Sequence, residues 1–183
     1  MKNILKAGIL LAALTSFAAN ATTYDFSYTF GDSSVITGSL SGNLNGAYVD
    51  NISNVHVSFN GTAFSGGSLF NAAWNTATGN FDNTIAAVVS TNGALNNFVF
   101  ADSNVPADYS ASNYFYFVND PATYGHEAFA VNYNTVTVDS ALDNPSNASW
   151  SLVAAPVPEP ETHAMLLAGL GLIGVAARRR HAP

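Results

Sequence analysis

Between residues 7 and 177 the chain has no lysine and no arginine, so carboxylates, imidazoles, hydroxyls and aromatic rings must do any chemistry there. Over residues 22–156 the carboxylates are Asp25, Asp32, Asp50, Asp82, Asp102, Asp108, Asp120, Glu127, Asp139 and Asp143; the imidazoles are His56 and His126. His126 stands next to Glu127, an arrangement that can orient an imidazole as a general base. Glycoside hydrolysis needs two carboxylates facing across a cleft, and Asp102 with Asp108 or Glu127 could supply them. With acids spread over every loop some such pair is always at hand, so spacing singles none out. "GSLSG" at Gly38 to Gly42 puts Leu40 where a G-x-S-x-G elbow needs its serine. His56 alternates with Val55 and Val57, the pattern of a solvated residue on a strand's polar face. The reading is a protein without catalytic residues and without a cofactor; an enzyme built on Glu127, His126 and an Asp is the weakest alternative.

Two further chemistries are open to these residue types. "DSNVPAD" and "DSALDN" carry oxygen ligands on expected loops, but lack the D-x-[DN]-x-[DN]-G spacing and distal Glu of a calcium loop. At most they offer a weak Ca2+ site at Asp102, Asp108, Asp139 and Asp143. Tyr109, Tyr114, Tyr116 and Tyr124 cluster around two loops, and aromatic rings bind the apolar C–H face of a sugar by stacking. These four are the candidate glycan contacts. The competing explanation is that "NYFYFV" alternates Tyr and Phe because both faces of its strand are covered.

Charge narrows the partners. Ten acids against no Lys or Arg give residues 22–156 a formal charge of −10, although the whole chain carries −7 because all five basic residues lie in the end segments. Nucleic-acid binding needs Lys or Arg to displace phosphate counterions, so DNA and RNA are excluded. There is no cysteine, which rules out thiol catalysis, thiolate metal sites and disulfides. A stable fold must therefore rest on its core.

The elements that position these groups are strands. "TYDFSYTF" alternates Tyr24, Phe26, Tyr28 and Phe30 with Asp25, Ser27 and Thr29, the period of a half-buried strand. Gly31-Asp32 turns the chain into "SVITGSLS". Asn45-Gly46, Asn60-Gly61 and Asn92-Gly93 then punctuate alternating runs, as hairpin turns with positive φ require. On this reading "NVHVSF" pairs with "TAFS", and "TIAAVVS" with "NNFVFA". "NYFYFV", "AFAVNY", "TVTV" and "SWSLV" follow as strands, while "DSALDNPSN" reads as a loop. "LFNAAWNTATGN" has room for a short helical turn, with Trp74 as a core anchor. Roughly ten short strands predict an all-β antiparallel sandwich or jelly roll over residues 22–156.

The ends read as addresses. Lys2 and Lys6, the apolar "AGILLAALTSFAA" and Ala19-Asn20-Ala21 make residues 1–21 a signal peptide. The other end, residues 157–183, has three parts: Val157, Pro158, Glu159 and Pro160; an apolar run from Ala164 to Ala177; and Arg178, Arg179 and Arg180. The prolines keep the first part extended. The fourteen-residue run spans about 21 Å as a helix, short against a hydrocarbon core of about 30 Å. The arginines orient it with the body outside the cytoplasm.

These three parts, in this order, resemble the PEP-CTERM sorting signal, whose tail is also known as the ice-binding protein C-terminal domain. The resemblance implies recognition by an exosortase, a membrane transpeptidase, and delivery of the body to the cell surface or extracellular matrix. It further implies a membrane-tethered precursor, held by the short C-terminal transmembrane helix, and association with exopolysaccharide and biofilm. It implies no ice binding, since "NTVTV" is a single threonine motif rather than an array. The expected role is structural or adhesive in an exopolysaccharide layer, the alternative being a carbohydrate-binding module that uses the tyrosine-bearing loops.

Overall fold

The computed structural model describes residues 21–102, 112–120, 125–134, 138–144, 149–156, 165–171 and 173, with residues 120 and 125 as backbone alone. Among the described residues twelve strands run in chain order: β1 Thr22–Thr29, β2 Val35–Asn45, β3 Tyr48–Phe59, β4 Thr62–Ala63, β5 Phe70–Asn75, β6 Asn80–Asp82, β7 Val89–Ser90, β8 Asn97–Ala101, β9 Tyr114–Asp120, β10 Gly125–Asn132, β11 Asp139–Asp143 and β12 Trp150–Ala154. The first sheet has the order β12-β1-β2-β3-β4 with β7 on β3; the second has the order β11-β10-β9-β8-β5-β6. Every pairing is antiparallel.

Alternation along β1 sends Tyr24, Phe26, Tyr28 and Phe30 into a core that both sheets share. Phe26 lies 5.8 Å from Phe100 and 6.5 Å from Phe115, and Tyr28 meets Phe117 edge-on at 5.1 Å. Trp150 closes the core from β12, 5.9 Å from Phe26, 5.9 Å from Phe98 and 5.4 Å from Phe117, and its indole N–H donates to the Ser90 carbonyl at 2.9 Å. Gly38 stands opposite Phe26 in the register. A Cβ there would come within 2.4 Å of the Phe26 ring and 2.3 Å of the His56 carbonyl oxygen, so the ring fills the space that a side chain would take.

The turns part from expectation in two of three cases. Asn60 and Gly61 both have positive φ, 48° and 80°, as a type I′ hairpin needs. Asn45, by contrast, is the last paired residue, opposite Tyr48, and the loop is Gly46-Ala47 with only Gly46 at positive φ, the φ pattern of a type II′ turn. Asn92-Gly93 closes no hairpin. β7 pairs with β3 while β8 belongs to the second sheet, and only a Val88–Asn97 bridge joins the two runs. The Asn96 side chain takes the place of a strand partner, its Oδ1 accepting from the Ser90 amide at 2.7 Å.

Two element assignments are corrected. "LFNAAWNTATGN" is the β5–β6 hairpin rather than a helical turn, and "DSALD" is β11 rather than loop. β11 buries Ala141 against the shared core and pairs along its length with β10. Of "TVTV", Val138 lies outside the strand and residues 135–137 lie outside the described residues. Residues 165–171 and 173 are helical. Among the described residues no helix is long and apolar enough to cross a membrane. Residues 1–20 lie outside the description, so the signal-peptide reading has no structural counterpart here.

Candidate functional site

Strand alternation builds a second, smaller apolar cluster on the outward side of the second sheet. Phe115 and Phe117 of β9 enter the shared core, while Tyr114, Tyr116 and Val118 point away from it. The register aligns Phe129, Tyr116, Val99 and Ala72 across β10, β9, β8 and β5, with Val131, Tyr114, Ala101 and Phe70 as the next row. Ala72, Val99 and Ala101 are small, and the residues around them, Phe70, Trp74, Tyr114, Tyr116 and Phe129, are large. The rings therefore stand around a floor of Ala72, Val99 and Ala101, each fully buried although it faces outward.

Ring contacts connect this wall. Trp74 meets Phe81 edge-on at 5.2 Å, Phe81 lies 5.3 Å from Tyr116, and Tyr116 lies 6.3 Å from Tyr114 with the planes 7° apart. Phe129 sits 5.8 Å from Tyr116. Between them is a cavity of about 290 Å³, whose lining adds Asn80, Val118 and Glu127 to the rings of Trp74, Phe81, Tyr114 and Tyr116. Such a surface offers aromatic faces for the apolar side of a sugar and a few polar groups to orient its hydroxyls.

Local hydrogen bonds hold each wall in place. The Asn97 side chain continues the β5–β8 pairing past its last backbone bond: Oδ1 accepts from the Trp74 amide at 2.7 Å and Nδ2 donates to the Trp74 carbonyl at 3.2 Å. Gly79, at φ 68°, closes the β5–β6 turn with a bond from its amide to the Asn75 carbonyl. Asp82 anchors the far end of β6, accepting from the Thr84 amide, the Thr84 hydroxyl and the Asn75 amide group. These donors, the Thr84 amide first, hold its carboxyl below the ordinary value. On β9, burial and then Tyr133 raise the Tyr114 phenol above its usual range. The Tyr116 hydroxyl donates to Glu127 Oε1. Beyond Glu127 lies a second cavity of about 300 Å³, bordered by Leu142, Asp143 and Asn144.

Of the tyrosines singled out from sequence, Tyr114 and Tyr116 stand together on β9 rather than on loops, while Tyr109 and Tyr124 lie outside the described residues. Trp74 is not an anchor of the shared core; it is half-buried in the cavity wall. Phe81 and Glu127 complete a site whose members come from four strands, which no local spacing reveals. His126 and Glu127 do not converge. Glu127 lines the outward cavity, whereas His126 Nδ1 lies 2.5 Å from the buried Asn119 Oδ1, on the other side of the strand's alternation.

His56 is exposed on the outward side of the first sheet, level with Ser39 and Asp25 in the register. There a broad groove of about 600 Å³ is lined by Ser27, Thr37, Ser58, Ser151 and these three residues. It is larger than the aromatic cavity, but its lining mixes serine and threonine hydroxyls with Phe26, Val57, Phe64, Leu69 and Val153 and has no tyrosine or tryptophan.

The aspartates of the weak calcium reading serve separate places. Asp102 accepts from the Asn113 amide at 3.0 Å and from the Asn113 side chain; Asp139 accepts from Asn60 Nδ2 at 2.8 Å; Asp143 accepts from the Tyr28 hydroxyl and the Gly31 amide, each at 3.1 Å. Asp139 and Asp143 are four strand residues, or roughly 13 Å, apart. Among the described residues no group of three or more His, Asp or Glu could hold a metal ion, and Asp108 lies outside them.

The body ends where the tail begins. The Ala155 amide donates to the Thr23 carbonyl at 2.8 Å, one residue before a segment, 156–180, that matches the PEP-CTERM protein-sorting motif. The chain carries a PEP-CTERM sorting motif. Val157, Pro158, Glu159 and Pro160 and the cluster Arg178, Arg179 and Arg180 all fall within this match, though outside the described residues. The motif implies export, processing by exosortase, a membrane enzyme, and sorting to the cell surface. No curated protein and no solved structure matches the chain.

Proposed function

We propose that the body is a β-sandwich that holds polysaccharide of the surface layer in the aromatic cavity of its second sheet, acting as an adhesive matrix protein rather than an enzyme. The observation that carries this reading is the cavity of about 290 Å³ walled by Trp74, Phe81, Tyr114 and Tyr116 with Glu127 at its side. A sorting motif that delivers the body to the cell surface puts such a cavity where extracellular glycans are. Residues 1–21 serve as the export signal and Ala164 to Ala177 as a transient membrane span in this account. The separation of His126 from Glu127 favours binding over acid–base chemistry.

The experiment is a glycan array probed with the exported protein and with its Tyr116→Ala and Trp74→Ala variants. Selective binding of wild type that both variants lose supports the reading. Wild-type binding retained in both variants places the ligand elsewhere, and turnover of any bound glycan overturns the non-enzymatic part.

A further inference from the structure

We propose that the glycan this cavity prefers carries free amino groups: a polymer of N-deacetylated hexosamine whose ammonium sits against Glu127. The proposal rests on the glycan-binding reading above and names the substrate class of that same site. Glu127 is a half-buried carboxylate among aromatic rings. The Tyr116 hydroxyl engages Oε1, and Oε2 accepts from no other described side chain. A half-buried carboxylate gains from an opposite charge brought beside it, and the chain has no lysine or arginine from residue 7 to residue 177 to supply one. Among the described residues there is no Lys or Arg to face Glu127, and a ligand can bring that charge.

Three features of the surroundings agree with an ammonium there. Its three N–H donors make charge-assisted bonds to a carboxylate, roughly twice as strong as neutral ones. Aromatic faces such as those of Tyr116 and Trp74 attract a cation through their quadrupoles. Glu127 also borders the second cavity, where Asp143 and Asn144 add a carboxylate and an amide, so a linear polymer crossing the strands meets a further acceptor after Glu127. A polyuronate would bring its charge against Glu127, against Asp143 and against a body of ten acids and no Lys or Arg.

The test is calorimetric titration of the exported protein with three tetrasaccharides, β-1,4-glucosamine, β-1,4-N-acetylglucosamine and guluronate, at mildly acidic pH where the amines are protonated. The glucosamine tetramer is expected to bind about tenfold more tightly than the acetylated one, the scale of one hydrogen bond to a charged group, with guluronate weakest. Glu127→Gln keeps an oxygen for the Tyr116 hydroxyl and should bring the ratio of amine to acetylated affinity to about one. A series of partly acetylated tetramers on wild type gives the same answer without a variant, affinity falling as acetylation rises. Equal or tighter binding of the acetylated tetramer or of guluronate overturns the proposal while the glycan-binding reading stands. An amine preference that Glu127→Gln leaves intact assigns it to overall charge and also overturns the proposal. Absence of binding by all three, together with an array without hits, is the failure of the underlying reading instead.

Discussion

The two tryptophans should separate stability from binding. Trp150 is buried in the shared core, touches Phe26, Phe98 and Phe117, and donates to the Ser90 carbonyl. Truncating a buried tryptophan to alanine costs about 3–5 kcal/mol. For a domain of this size that lowers Tm by on the order of 10–20 °C. Trp74 is half-buried, with Phe81 as its ring neighbour at 5.2 Å. Trp74→Ala forfeits about 0.5–1.5 kcal/mol of that pair beyond area burial together with the burial of a ring only partly covered, so its Tm should fall by less than that of Trp150→Ala. It removes a wall of the cavity, however, and about 60 Å² of lost ligand contact at ~25 cal/mol per Å² is about 1.5 kcal/mol, or roughly tenfold in affinity. Thermal melts and glycan titrations of both variants provide the comparison, and since the chain has two tryptophans, Trp150→Phe leaves Trp74 as the sole indole reporter of cavity occupancy. A Trp74→Ala melt as low as that of Trp150→Ala, or ligand affinity untouched by Trp74→Ala, refutes the division of roles.

Other outcomes follow from single contacts. Gly38→Ala drives a Cβ to 2.3 Å from the His56 carbonyl oxygen and into the Phe26 ring, so thermal melts should show a loss of about 1–3 kcal/mol. The Asp82 carboxyl is held below its ordinary value of 3.8 in the folded protein. Its contribution is therefore present above that pH and is lost as the pH falls through the lower folded value; thermal melts should show stability falling along an acid limb below pH 3.8 that is shallower in Asp82→Asn than in wild type. Truncation after Pro156 leaves every strand bond intact and should leave Tm unchanged, whereas truncation after Asn144 removes β12 with Trp150 and should abolish the cooperative melt.

What could be read from sequence was what local chemistry decides. "TYDFSYTF" needed only its alternation, and Asn60-Gly61 only the φ tolerance of its two residues. "LFNAAWNTATGN" misled because Ala72 and Ala73 carry no strand preference of their own; pairing with Val99 and the Asn97 side chain make that run a strand. "DSALD" offers one core residue, Ala141, between acids, and owes its conformation to β10. Asn92-Gly93 has hairpin chemistry, but Ser90 finds its partners in Tyr48 and Asn96 instead. The site follows the same division. Tyr114 and Tyr116 were visible as a pair two apart on one strand, whereas Trp74, Phe81 and Glu127 join them through cross-strand register between segments up to 53 positions apart. The sorting motif lies at the other extreme, being contiguous and recognisable from its own residues.

The central claim is that the outward cavity of the second sheet holds surface polysaccharide. Its most direct test is sedimentation of the exported protein with the extracellular polysaccharide of its own host, wild type against Tyr116→Ala, with the melting temperature of each recorded alongside. The account predicts that wild type sediments with the polymer and that Tyr116→Ala, still folded, stays in solution. Equal sedimentation of the two folded proteins would contradict it.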